Sequence, residues 1–220
     1  MILKIFRAIL SILLIPACVA VTMSFYKEIA SIKGVPEPAM LFILGAFSYS
    51  MLHLFLFKLD FLYVLGHETT HAITTFFSGG KVTGMKVSGK EGSVKTTTPN
   101  FFVILSPYLV PVYVIITALL YFALSFFINV AKFSGHFIFF TGFTLMFHLV
   151  YTAASIREKQ SDLVKIGYLF SILFIYIVNI AIVFFIVSIL MPKVSFFDFI
   201  SSSFEKSREF YYNFWKQLFL

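Results

Sequence analysis

The chain has 220 residues, of which 60% are hydrophobic and 12% are charged, and its formal net charge is +7. Because charged residues make up about 25% of a typical soluble domain, this composition excludes an ordinary soluble protein and indicates one that crosses a membrane several times. A single cysteine, Cys18, excludes an internal disulfide framework and a cysteine-rich zinc site. No nucleic-acid-binding signature accompanies the positive charge, which we therefore relate to membrane topology.

Six apolar segments follow one another along the chain, most of them long enough to cross a bilayer core of roughly 30 Å. They cover residues 5–25, 39–57, 61–78, 101–130, 136–156 and 166–190. The first is expected to be a retained membrane anchor, with a cleaved signal peptide as the less favoured alternative. Gly79-Gly80 ends the third segment, and Pro107 and Pro111 are expected to kink or partly unwind the fourth. The pattern predicts an all-α polytopic membrane protein.

A short polar stretch between the third and fourth segments has a different pattern. Residues 81–88 and 92–97 alternate with a period of two around a glycine-rich turn, which predicts a small β-hairpin over about residues 80–98. Open backbone cannot face lipid, so we expect the hairpin at the membrane interface or beside a cavity with protein walls. Such a hairpin can also offer its edge to an extended peptide.

The last 26 residues, 195–220, form a separate tail, whereas residues 1–194 are predicted to be one membrane-embedded domain. Phe204, Tyr211, Trp215 and Leu218 fall near one face of a helix in this tail, and the charged residues fall elsewhere. This pattern predicts an amphipathic helix that lies on the membrane surface. Docking of the helix on the bundle is an equally good interpretation.

The third segment contains an HExxH motif, His67-Glu68-Thr69-Thr70-His71. Residues four apart share one face of a helix, so His67 and His71 can offer imidazole nitrogens to one metal ion, with Glu68 beside it as a base. Zinc is the ion that this motif usually binds, and we expect one per chain. Ionisable groups inside a membrane are costly and by default indicate function. Thr69 and Thr70 are interpreted as spacers.

A catalytic zinc site usually needs a third protein ligand and an open position for water. The residues weighed for this role are Asp60, Glu91, His136, His148, Glu158 and Asp162. Asp162 is the best placed, because it begins the last apolar segment on the side where the hairpin returns. Glu158 and His148 remain alternatives, although His148 also suits a supporting or structural role. His53 and His136 are interpreted as packing or interfacial residues.

Two stretches resemble a known family. Leu65-Gly66-His67-Glu68-Thr69-Thr70-His71-Ala72, followed by Gly79-Gly80-Lys81-Val82 and a short β segment, resembles the site-2 proteases, which are intramembrane zinc metalloproteases. The resemblance covers roughly residues 60–175. It implies that His67 and His71 bind zinc, that Glu68 activates water and that Asp162 is the third ligand.

The chain also departs from that family. The usual second site has Asn and Pro followed by Asp-Gly, whereas Asp162 follows Gln160-Ser161 and precedes Leu163. No insertion is long enough for a PDZ domain, so the substrate filter must be the hairpin, the bundle or a partner. The resemblance therefore implies a compact, divergent member of the family.

The leading functional hypothesis is an intramembrane zinc endopeptidase that cuts in or near transmembrane segments of membrane proteins within the lipid bilayer. One alternative keeps the fold without proteolysis, as a membrane chaperone or regulator, but Glu68 argues against it because a structural zinc site needs no base. The other alternative is a small transporter lined by histidines, although no inverted repeat is visible. Histidine variants would distinguish proteolysis from transport, because loss of cleavage indicates a protease and loss of flux indicates a transporter.

Overall fold

The computed structural model describes residues 2–89, 91–191 and 193–219, with side chains for residues 5–217 within those ranges, so the side chain of Leu218 lies outside the described part. Within these ranges the chain is mostly helical. The helices are α1 (Ile2–Ala30), α2 (Glu37–Met51), α3 (Asp60–Phe77), α4 (Phe101–Leu109), α5 (Val112–Leu124), α6 (Ser134–Arg157), α7 (Ser161–Ile166), α8 (Tyr168–Leu190) and α9 (Phe196–Phe219). A π-helical turn, Leu52–Leu56, extends α2, and a 3-10 turn, Val130–Phe133, precedes α6.

Helix α3, which carries the HExxH motif, has defined signals at both ends. Asp60 lies in its first turn, where a negative charge is favourable near the positive end of the helix dipole. At the other end Gly79 has a φ of +72°, and the backbone N–H of Gly80 donates to the carbonyl of Thr75 at 2.9 Å. This left-handed glycine cap ends the helix where the sequence predicted a stop.

A two-stranded antiparallel hairpin follows α3 and confirms the prediction for residues 80–98. Its strands are β1 (Val82–Val87) and β2 (Gly92–Thr96), paired so that Val87 lies opposite Gly92, with a β-bulge between Val82 and Gly84. The Thr75 hydroxyl on α3 donates to the Thr96 hydroxyl at 3.0 Å. Because side chains alternate along a strand, Thr96, Val94 and Gly92 share the face of β2 that turns toward α3.

The chain divides into two compact units. One consists of Met1–Ala39 with Val164–Leu220, and the other consists of Met40–Leu163. In the first unit, Phe184 on α8 and Phe199 on α9 are fully buried and stack with ring centroids 4.1 Å apart. Helix α9 also packs along α1, where the Tyr211 hydroxyl donates to the Leu13 carbonyl. Phe204 and Trp215 on α9 remain exposed.

In the second unit, α2 and α6 cross with their backbones in close contact at two glycines. A Cβ atom added to Gly45 would lie 1.9 Å from the Phe139 carbonyl oxygen, and one added to Gly142 would lie 2.0 Å from the Phe42 carbonyl oxygen. Tyr49 is fully buried beside this crossing. Small residues of this kind let helices approach closely in membrane proteins.

Gly142→Ala is expected to lower the free energy of unfolding by roughly 3 kcal/mol, because the added methyl group must push two helix backbones apart. Thermal or denaturant unfolding of the detergent-purified chain measures this. Gly135→Ala is the matched control on the same helix. Its added Cβ meets only the end of the Leu41 side chain, at 3.2 Å. Equal losses for the two variants would contradict the close crossing.

Four helical segments are long and apolar enough to cross a membrane within the described ranges. They are Ile5–Ala30, Glu37–Leu56, Val130–Arg157 and Tyr168–Leu190. Helices α4 and α5 make a fifth if they are taken as one span bent by 70°, and their break at Val110-Pro111 agrees with the predicted kink. The predicted count of six was too high because α3 carries Asp60, His67, Glu68 and His71, which lower its hydropathy.

Candidate metal centre

The helical spacing of the HExxH motif brings its two histidines together. The Nε2 atoms of His67 and His71 lie 3.2 Å apart on one face of α3. Two ligand atoms at 2.0–2.2 Å from one tetrahedral zinc ion lie about 3.3–3.6 Å apart. The separation of the two Nε2 atoms is about 0.1 Å below this range, so both can approach the same ion with a small adjustment.

Asp162 completes a group of three potential ligands. Its Oδ2 atom lies 3.4 Å from His71 Nε2 and 3.9 Å from His67 Nε2. Among the described residues this is the one group of three or more His, Cys, Asp or Glu side chains whose ligand atoms lie within 4.8 Å of one another. The group consists of the three residues that the sequence resemblance implied as ligands.

The turn after α6 brings Asp162 to the histidines. Helix α6 ends at Arg157, and Lys159 has a φ of 52°, in the left-handed region that reverses the chain direction. The backbone N–H of Gln160 then donates to the Ser155 carbonyl at 3.2 Å, which closes the helix end. Helix α7 begins at Ser161, so Asp162 lies in its first turn.

The Nδ1 atoms of both histidines have protein partners, so the Nε2 atoms are the ones that can bind a metal ion. His71 Nδ1 lies 2.7 Å from the Val103 carbonyl oxygen, which can only accept, so the His71 proton is on Nδ1. His67 Nδ1 lies 3.2 Å from the Tyr63 hydroxyl, which lies 2.6 Å from the Ser155 hydroxyl. Metal-binding histidines usually have this kind of outer support. The group of His67, His71 and Asp162 could therefore hold a metal ion such as zinc.

A polar cleft of about 590 Å³ opens onto this group, and its volume is within the range typical of ligand sites. Glu68 is only 6% exposed and lines the cleft beside His67 and Asp162. The hairpin contributes Glu91 and Gly92 to the same wall. Glu68 therefore borders the same polar space as His67 and Asp162.

The other candidate ligands lie elsewhere or have different partners. Glu158 lines the cleft but does not belong to the three-residue group, and His148 lines a separate pocket of about 20 Å³ beside His67. Asp60 accepts a hydrogen bond from the Tyr151 hydroxyl at 2.7 Å. His53 Nδ1 lies 3.0 Å from the Tyr49 hydroxyl, and the His136 ring packs near Phe133.

Several supporting residues were missed by the sequence analysis. Tyr63 lies four residues before His67, a helical spacing that could have identified it. Tyr108 could not have been found in this way, because it lies on α4 and is fully buried. Its ring packs against His67 with centroids 5.2 Å apart, and its hydroxyl donates to Gln160 Oε1 at 2.5 Å. Tyr108 therefore contacts one proposed ligand and holds the turn that carries another.

Tyr108→Phe is expected to weaken zinc binding by about 10–100-fold, the usual effect of removing an outer-shell hydrogen bond. Loss of the hydroxyl removes one hydrogen bond from the side chain of Gln160, two residues before Asp162, while the ring still packs against His67. Competition with a chelating dye measures the affinity. Tyr121→Phe is the control, since its hydroxyl donates to the Val130 carbonyl at 3.0 Å outside the site. Unchanged affinity in Tyr108→Phe would exclude this role.

Comparison of the chain with models of protein families, with curated proteins and with solved structures finds no match.

Proposed function

We propose that the chain is an intramembrane zinc metalloendopeptidase, a compact and divergent relative of the site-2 proteases without a PDZ domain. It hydrolyses peptide bonds in or near the transmembrane segments of membrane-protein substrates. The observation that carries the proposal is the convergence of His67, His71 and Asp162 beside Glu68, at a cleft, in a chain with four or five helical segments that are long and apolar enough to cross a membrane.

The number and kind of ligands support a catalytic site rather than a purely structural one. Structural zinc sites are usually closed by four protein ligands, whereas catalytic sites keep one position open. A zinc ion held by His67, His71 and Asp162 would have three protein ligands and one position left for water. Zinc held by such a set supplies a Lewis acid that polarises a carbonyl group and acidifies water.

Glu68 is the proposed general base. Its carboxylate takes a proton from the attacking water and donates it to the amine that leaves when the peptide bond breaks. Glu68 directly follows His67 in the motif, and its side chain lines the cleft beside the proposed ligands. A non-proteolytic chaperone or regulator of the same fold would not need a buried carboxylate at this point.

The surroundings of the site suit a substrate from the membrane. Helix α3 lies in a chain with four other helical segments that are long and apolar enough to cross a membrane, while the cleft is lined mainly by polar side chains. Hydrolysis needs water at the peptide bond and an unwound backbone, whose polar groups cannot be left facing lipid. The reaction therefore requires a polar environment within the membrane. The cleft and the hairpin beside it offer such an environment.

The test is cleavage of a single-span model substrate by the purified chain in lipid nanodiscs. Cleavage that stops after removal of metal with a chelator and returns with added zinc supports the proposal. Intact substrate under all these conditions, with zinc bound and the chain folded, would favour the non-proteolytic alternative.

A further inference from the structure

Glu68 touches the hairpin at a position that has no side chain. Gly92 begins β2, and a Cβ atom added there would lie 2.6 Å from both Cγ and Oε1 of Glu68 and 2.6 Å from Cγ1 of Val64. Contacts shorter than 3.0 Å are essentially never made by real Cβ atoms. The backbone of β2 therefore lies directly on the Glu68 side chain, at a distance that only glycine permits.

The groups around Gly92 have little freedom to move away. Glu68 is 6% exposed and Val64 is 7% exposed, so both side chains are confined by α3 and its neighbours. At one end of the hairpin turn, the backbone N–H of Ser88 donates to the Glu91 carbonyl at 2.8 Å. At the far end of β2, Thr96 is hydrogen-bonded to Thr75 on α3. The strand is thus held on both sides of its contact with Glu68.

We propose that Gly92 is a positioning residue for the general base. The bare backbone at the start of β2 limits where the Glu68 side chain can lie and keeps its carboxylate on the cleft side, beside His71 and Asp162. This inference rests on the proposed function, because it gives the hairpin a role in holding the base. An added methyl group would have to displace Glu68 or the strand by about 1 Å to restore ordinary contact distances.

The kinetic test is Gly92→Ala in full-length chain in nanodiscs, with a peptide substrate that the wild type cleaves. A displacement of about 1 Å in a catalytic group is expected to lower kcat by about 100-fold. KM and zinc content should stay within about twofold, because the substrate cleft and the ligands are not removed. A kcat equal to that of the wild type would overturn the proposal, and so would a loss explained entirely by lost zinc.

Gly89→Ala is the matched control in the same hairpin turn. An added Cβ at Gly89 has nothing within 4 Å, so kcat, KM and the unfolding midpoint should all remain close to wild type. A loss in Gly89→Ala as large as that in Gly92→Ala would indicate a general sensitivity of the hairpin and would overturn the specific role of Gly92.

A double-mutant cycle tests the contact without any proteolysis. Gly92→Ala is expected to lower the midpoint of thermal unfolding by roughly 3–8 °C in the wild-type background. In a Glu68→Ala background the crowding with Glu68 is gone, so the same substitution should cost clearly less. Equal shifts in both backgrounds would overturn the contact itself.

The two measurements separate the inference from the proposed function. If the wild type cleaves no substrate, the proposed function fails while the unfolding cycle still decides whether Gly92 rests on Glu68. If the wild type is active and the cycle shows coupling, an unchanged kcat in Gly92→Ala overturns the positioning role alone.

Discussion

The chain purified in detergent is expected to carry about one zinc ion, and His67→Ala, His71→Ala and Asp162→Ala are each expected to lose it. Each substitution removes one of the three proposed ligand atoms, which lie 3.2–3.9 Å apart. The affinity should fall by more than about 100-fold, beyond the usual effect of a supporting residue. Elemental analysis of each variant at matched folding measures the zinc content.

The control for these ligand variants is His136→Ala, which removes an imidazole at the start of α6, outside the three-residue group. It should retain wild-type zinc. Zinc lost with His71→Ala but kept with Asp162→Ala would contradict the proposed third ligand and direct attention to Glu158 or His148. No zinc in the wild type, even after reconstitution, would favour a non-enzymatic function.

Glu68→Gln is expected to lower the rate of peptide-bond cleavage by about 10²–10⁴-fold, the usual contribution of a general base. The amide has the size of the carboxylate and preserves the contact with Gly92, but it cannot accept the proton of the attacking water. Zinc content should be unchanged, since Glu68 is not one of the three proposed ligands. Single-turnover cleavage of a single-span substrate in nanodiscs measures the effect.

The same chemical change at an exposed position controls for the loss of a charge. Glu205→Gln on α9 should cleave at the wild-type rate, because Glu205 is exposed and belongs to the other compact unit. If Glu68→Gln cleaves as fast as the wild type, the proposed mechanism is wrong even if zinc is bound. If it also loses zinc, its role is in binding the ion.

These two results would distinguish the parts of the proposal. Zinc binding tests the ligand group, and the Glu68 variant tests the chemistry performed beside it. A chain with three ligands and an inactive wild type would be a zinc-binding membrane protein with another function. A chain with both properties would be a zinc-dependent protease.

The local features of the site were accessible from the sequence. The pairing of His67 with His71 follows from helical spacing, and the hairpin after α3 follows from alternation around a glycine-rich turn. The break near Pro111 follows from the chemistry of proline. Each of these features depends on neighbours a few residues apart, for which backbone geometry and the polarity of the side chains are sufficient.

Features that depend on distant residues were decided only by the tertiary structure. Asp162 meets the histidines because the Lys159 turn reverses the chain after α6, and its sequence context departs from the family pattern. Tyr108 and Gly92 have ordinary sequence neighbourhoods, yet packing places one against His67 and the other against Glu68. These contacts join residues that are 24 to 95 positions apart in the sequence. They arise from the packing of helices and strands, and the pattern of a single segment contains no information about that packing.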